Sequence, residues 1–174
     1  MIRLAIATAL ILAAPSASSE PAATTALPAG TFALAGPPWI SIESPPNPFN
    51  SETRGALLVV RVYHHGEAAF YPVSGTAEGL QNGKRQSMKL EFGSTSTPGM
   101  YSLKFSRPSA GAWLLMIHVG EPGEHGQATA VVSLDAEGQV SSVQVPTRQQ
   151  GDWLLPRELS EAEVSARLRG LPGA

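Results

Sequence analysis

From Trp39 onward the chain runs in short bursts of aliphatic, β-branched and aromatic residues set between clusters of Gly, Pro, Asn and Ser. The bursts are WISIES, ALLVVRVY, AAFYPVSGTA, QSMKLEF, MYSLKFSR, AWLLMIHVG, QATAVVSLD and VSSVQVP. Between them lie the turn-rich PPNPFNSETRG, a loop EGLQNGKR, the breaks GSTSTPG and PSAG, a Gly/Glu/His loop and a hairpin-like AEGQ. Roughly eight strands with a turn signal every 8–12 residues, and no helical period between them, predict an antiparallel sandwich or barrel. The same absence of intervening helices argues against a parallel α/β sheet.

Alternation assigns faces. In GMYSLKF, Tyr101, Leu103 and Phe105 share one side and Ser102 and Lys104 the other, as a half-buried strand requires. Met88, Leu90 and Phe92 are set against Lys89 and Glu91 in the same way. The heaviest inward face belongs to Trp113, Leu115, Ile117 and Val119, which places that strand at the centre of the core. Its other side carries Leu114, Met116 and His118, unusually apolar for an outward face, so either it is a contact surface or, as is expected, the chain's own tail or leader covers it.

The tail holds the one helical pattern. Ser160 followed by Glu163 forms a capping box, Glu161 and Glu163 open the helix, Arg167 and Arg169 close it, and Gly170 is expected to stop it in a left-handed conformation. Val164 and Leu168 make a single apolar stripe on a helix too short to stand alone, so it must dock. Docking on its own sandwich and insertion into a partner's groove are both open. Trp153, followed by Leu154 and Leu155, is expected to anchor this tail to the domain.

At the N-terminus, Arg3 precedes an apolar stretch from Leu4 to Ala14 and then small residues. That stretch is shorter than the ~20 residues needed to span a bilayer as a helix, and the pattern is that of a signal peptide cleaved between Ala17 and Ser19. Residues 20–38, rich in Ala, Pro, Thr and Gly, read as a flexible leader. The expected organisation is a signal peptide over 1–19, the leader over 20–38, a β-domain over 39–150 and a tail over 151–174. The 174 residues, 43% of them hydrophobic, suffice for one real core rather than two.

Composition narrows the chemistry. A net charge of −2, with twelve scattered Lys and Arg residues, offers no surface for a polyanion, so nucleic acid is not an expected partner. The chain has no cysteine, which removes disulfides, thiolate ligands, thiol catalysis and a lipid-modified cysteine anchor together. Gly-x-Ser-x-Gly, His-Glu-x-x-His and a phosphate-binding glycine loop are all missing, so no enzyme activity is expected.

The adjacent His64 and His65 raise the question of a metal. Neighbouring strand residues point to opposite faces, so either at most one of the pair serves or the strand ends there, as Gly66 permits. The other candidate ligands are His118, His125, Met88, Met100 and Met116, and imidazole with thioether suits copper.

The stretch TPGMYSLKFSRPSAGAWLLMIHV resembles the second half of small exported immunoglobulin-like domains of the YtkA-like and FixH-like type. The resemblance covers residues 56–134 and rests on Pro98, Gly99, Tyr101, Gly111 and Trp113. It implies an immunoglobulin-like antiparallel β-sandwich of seven or eight strands (about seven is usual), here followed by a short C-terminal helix. In such families the domain is exported and in some members linked to copper handling or oxidase assembly. The chain departs from membrane-anchored members by its cleavable leader, and from copper-resistance sandwiches by lacking a histidine near the mature N-terminus and a dense Met cluster.

The expectation is therefore a periplasmic or secreted, non-catalytic β-sandwich without a cofactor, acting by contact on an envelope protein. It would act through a sheet face, an edge strand or the C-terminal helix. The alternative is a copper-binding or copper-delivery protein using His64 or His65 with His118, Met116 or Met100.

Overall fold

A computed structural model of the chain describes residues 36–121 and 126–173. The signal-peptide assignment, the leader up to residue 35 and His125 lie outside the described residues.

The fold is an all-β sandwich. One antiparallel sheet contains β1 (Trp39–Glu43), β2 (Leu58–His64), β7 (Met100–Leu103) and β6 (Phe92–Ser94) in that order, with the short β3 (Glu67–Ala68) paired to β2. The other runs β10 (Val140–Gln144), β9 (Ala128–Leu134), β8 (Ala112–Val119), β4 (Val73–Gln81), β5 (Lys84–Lys89). A separate hairpin joins β11 (Thr147–Gln150) to β12 (Trp153–Pro156), and among the described residues one α-helix, α1, covers Glu161–Arg169. The described residues hold twelve strands rather than the expected seven or eight, because AAFYPVSGTA and QSMKLEF each divide and the tail adds β11 and β12.

The core lies between the sheets. Leu58, Val60, Val62 and Leu103 from the first meet Trp113, Leu115, Ile117 and Val119 from the second, all fully buried, with Tyr101 and Phe105 packed at the margin. The alternation along β8 thus has the orientation expected from sequence. The polar ends of the aromatic side chains are satisfied, since Trp113 Nε1 donates to the Ser109 carbonyl at 3.1 Å and Tyr101 Oη to that of Tyr71 at 2.9 Å.

The structure departs from the sequence pattern at three places. EGLQNGKR is not a loop: β4 runs through Gln81, and Asn82-Gly83 alone make the turn into β5, with φ values of 50° and 72°. Both central residues at positive φ is the type I′ geometry that suits the twist of a hairpin. QSMKLEF is not one strand, because at Leu90–Glu91 the chain leaves the second sheet and enters the first as β6, pairing with β7. Leu90 is buried at this crossing, whereas Met88, on the edge strand β5, stays exposed. Gly170 is not left-handed: its φ of −86° continues the helical turn, and its N–H donates back to Ala166 and Arg167.

The tail covers the outer side of the second sheet. Leu114, Met116, Ala112 and Val131 form a second apolar cluster with Val164 and Leu168 of α1. The helix begins as its sequence specifies: the Ser160 hydroxyl accepts from the Glu163 N–H at 3.3 Å, and the Glu163 carboxylate accepts from the Ser160 N–H at 2.9 Å. The β11–β12 hairpin straddles residues 150 and 151, where the sequence reading divides domain from tail.

Candidate functional site

The expected metal ligands fall in separate places. β2 ends at His64, and His65-Gly66, with φ values of 51° and 85°, turn the chain into β3. This break in the pleat lets the two imidazoles meet, their ring centroids 4.2 Å apart. His64 Nε2 lies 3.1 Å from the Gly36 carbonyl oxygen, tying the end of the leader to the hairpin.

His118 sits on the outer side of the second sheet, with Nδ1 at 3.0 Å from Thr129 Oγ1 and 3.9 Å from Glu158 Oε1. Met116, two residues before it on that face, is packed under α1. Met100 pairs with Arg61 on the first sheet, out of phase with the inward Tyr101 and Leu103, and so faces the opposite side of the sandwich. Since packed sheets lie ~10 Å apart, one ion cannot be held by Met100 together with Met116 or His118. The His64–His65 pair and the Met116–His118 face are thus each formed locally, and the five residues do not converge. Among the described residues no group of three or more His, Asp or Glu side chains is arranged to hold a metal ion.

The polar clusters serve the architecture. Glu78, on the outer side of β4, accepts from Arg85 Nε and Nη2 at 3.2 and 3.1 Å and from the Ser87 hydroxyl at 2.7 Å. Burial pushes its carboxyl up, but hydrogen bonds from Ser87, Thr76 and Arg85 outweigh this and hold it below the usual range. Arg85 Nη1 donates to Glu161 at 2.5 Å and to Ser165 at 3.2 Å, so this network fastens α1 to the sheet. Arg157 grips both oxygens of Glu163 and, with the Ser160 N–H and hydroxyl, depresses that carboxyl to about 2. A histidine beside a hydroxyl and a carboxylate, as at His118, Thr129 and Glu158, resembles a catalytic constellation only in composition. Thr129 is fully buried, and both neighbours approach the same Nδ1. Glu158 therefore does not hold the second ring nitrogen while the first faces the hydroxyl, as a hydroxyl–imidazole–carboxylate triad requires.

Several large apolar side chains are left uncovered. Trp153 and Leu154, on β12, are 75% and 67% exposed. They stand on a two-stranded hairpin paired to neither main sheet, its base tied by the Arg157 N–H donating to the Pro146 carbonyl at 2.9 Å. Trp153 therefore does not anchor the tail to the domain, as its sequence context suggested; Val164 and Leu168 do that. Trp39, on the outer side of β1 opposite Tyr63, is 74% exposed, and Phe49 and Phe70 are exposed in neighbouring connections. The signal that identifies the hairpin is the pair TRQQ and WLLP around Gly151-Asp152, two extended segments joined by a two-residue turn.

Comparison with protein-family models, with curated proteins and with solved structures finds no match to this chain.

Proposed function

We propose that this chain is an exported, non-catalytic binding module, an accessory domain of the periplasm or extracellular space that works by contact with an envelope protein. The β11–β12 hairpin is its contact element. The observation that carries this reading is the exposure of Trp153 and Leu154 together on a hairpin that buries neither. Large aromatic residues at an exposed tip supply contact area at little entropic cost, and Trp is the residue type most enriched at binding hot spots.

Two further observations support it. The ionisable groups best placed for chemistry, Glu78, Arg85 and His118, are engaged in fastening or packing the second sheet and its helix. The N-terminal pattern of Arg3 and Leu4–Ala14 supports export, and among the described residues no helix is long and apolar enough to cross a membrane. The resemblance to exported YtkA-like and FixH-like domains is in keeping with such a role, although Pro98, Gly99, Tyr101, Gly111 and Trp113 carry fold rather than function. The C-terminal helix is not the contact element, because Val164 and Leu168 are 4% and 1% exposed.

The test is capture from an envelope extract by the immobilised protein, compared with Trp153→Ala/Leu154→Ser. One species retained by the wild type and lost by the double variant, at unchanged Tm, is expected. Equal retention by both would overturn the assignment of the hairpin, and turnover of a substrate would overturn the non-catalytic reading.

A further inference from the structure

The hairpin turns at Asn82-Gly83 and His65-Gly66 share one backbone geometry, with both central residues at positive φ, 50° and 72° in the first and 51° and 85° in the second. Asn-Gly is a pair this turn favours. The β2–β3 turn carries an imidazole in place of the Asn, and the left-handed conformation of His65 sets that imidazole beside the one before it. A regular pleat would send His64 and His65 to opposite faces. Here their ring centroids are 4.2 Å apart.

The contact of His64 with the end of the leader decides which of its nitrogens is free. A carbonyl oxygen only accepts, so His64 Nε2, 3.1 Å from the Gly36 carbonyl, carries the ring proton, and the neutral imidazole has its lone pair at Nδ1. Histidines that hold a metal ion almost always donate their other N–H in this way, to a backbone carbonyl, a carboxylate or water. That bond fixes the tautomer and ring orientation and raises the basicity of the ligating nitrogen. Tyr71, its ring centroid 5.7 Å away, packs beside the same imidazole. His64 is thus half-buried and held, whereas His65 is exposed and free to turn toward an ion.

We infer that His64 Nδ1 and the imidazole of His65 form a two-ligand site for a borderline divalent transition-metal ion, with zinc as its probe and water in the remaining positions. Two imidazoles on one ion, each nitrogen ~2.0–2.1 Å from it, must lie next to each other, as these do. Imidazole suits such an ion, and the chain has no cysteine to favour a softer one. The inference goes beyond the contact reading above, because it stands on the β2–β3 turn and not on Trp153.

Zinc titrated calorimetrically into the metal-free full chain at neutral pH should bind with 1:1 stoichiometry, and saturation should raise the Tm. His65→Asn gives this turn the residue that the β4–β5 hairpin already has, so the variant should match the wild-type Tm without zinc. Its zinc affinity should nevertheless fall at least ~10-fold, since losing a ligand costs no less than the ~10–100-fold of losing the partner behind one. His64→Gln should weaken binding similarly, and His118→Gln should leave it unchanged. Acidification should release the ion as both imidazoles take up protons. A wild type that takes up no zinc, full affinity retained by His65→Asn, or binding lost with His118→Gln would each overturn the inference.

Discussion

The indole of Trp113 lies flat over the bare Cα of Gly79, its partner on β4, so that a Cβ added to Gly79 would sit 2.7 Å from Cη2 of the ring. Trp113 is fully buried between the sheets and held at Nε1 by the Ser109 carbonyl, so the ring has nowhere to move. Gly79→Ala should therefore destabilise the protein by ~1–3 kcal/mol, the usual cost of overpacking a core. The urea midpoint would fall and the near-UV signal of Trp113 would change. An unchanged midpoint would mean that the ring does not sit where this packing puts it.

Leu168, fully buried beneath α1, supports the second apolar cluster. Leu168→Ala should remove ~2–5 kcal/mol of packing free energy. Because the helix lies outside the main core, that loss should appear first as faster amide exchange across Glu161–Arg169 and as dye binding to the uncovered Leu114 and Met116. Amides of β8 and β9 should keep their protection. Ser160→Ala, which removes the cap, should act in the same direction by about 1 kcal/mol.

Arg85 joins Glu78 to Glu161 across the interface of sheet and helix. Its side chain is about a third exposed, so solvent screens the pair, and Arg85→Ala should cost ~1–3 kcal/mol, most of it from leaving the buried Glu78 without its cation. Glu78→Gln in the Arg85→Ala background should restore part of the loss. A double-mutant cycle that closes to zero would deny the coupling.

Acidification should act in two stages. Burial depresses the His118 pKa, against the pull of Glu158, so the folded protein holds the imidazole neutral. That contribution is complete above the unfolded value of about 6.5 and is lost as pH falls from there toward the lower folded value. Glu43, Glu78 and Glu163 are also depressed, and their contributions are complete above the unfolded carboxylate value of 4.5 and lost below it, down to about 2 for Glu163. Denaturant midpoints measured across this range should decline in both windows. His118→Gln should flatten only the upper one.

Much of the sandwich was legible because a two-residue period over Trp113–Val119 or Tyr101–Phe105 has one physical solution, a strand with one face buried. The capping box at Ser160 and Glu163 was legible for the same kind of reason: its contacts are local. The crossing at Leu90 was not, since alternation fixes a side chain's face but not which sheet the strand joins. Likewise His64, His118, Met100 and Met116 read as one ligand set only while their faces were unknown. Trp153 misled because an aromatic before two leucines has the composition of an anchor, and only the pairing of β11 with β12 lifts it away from the core.

Contact between Trp153 and an envelope partner is the central expectation. A photo-reactive phenylalanine analogue at position 153, irradiated in intact cells, reads this directly, with the exposed Met88 position as the control. The expected result is a discrete adduct from position 153 to one envelope protein and none from position 88. The same adducts from both positions, or none from 153, would contradict it.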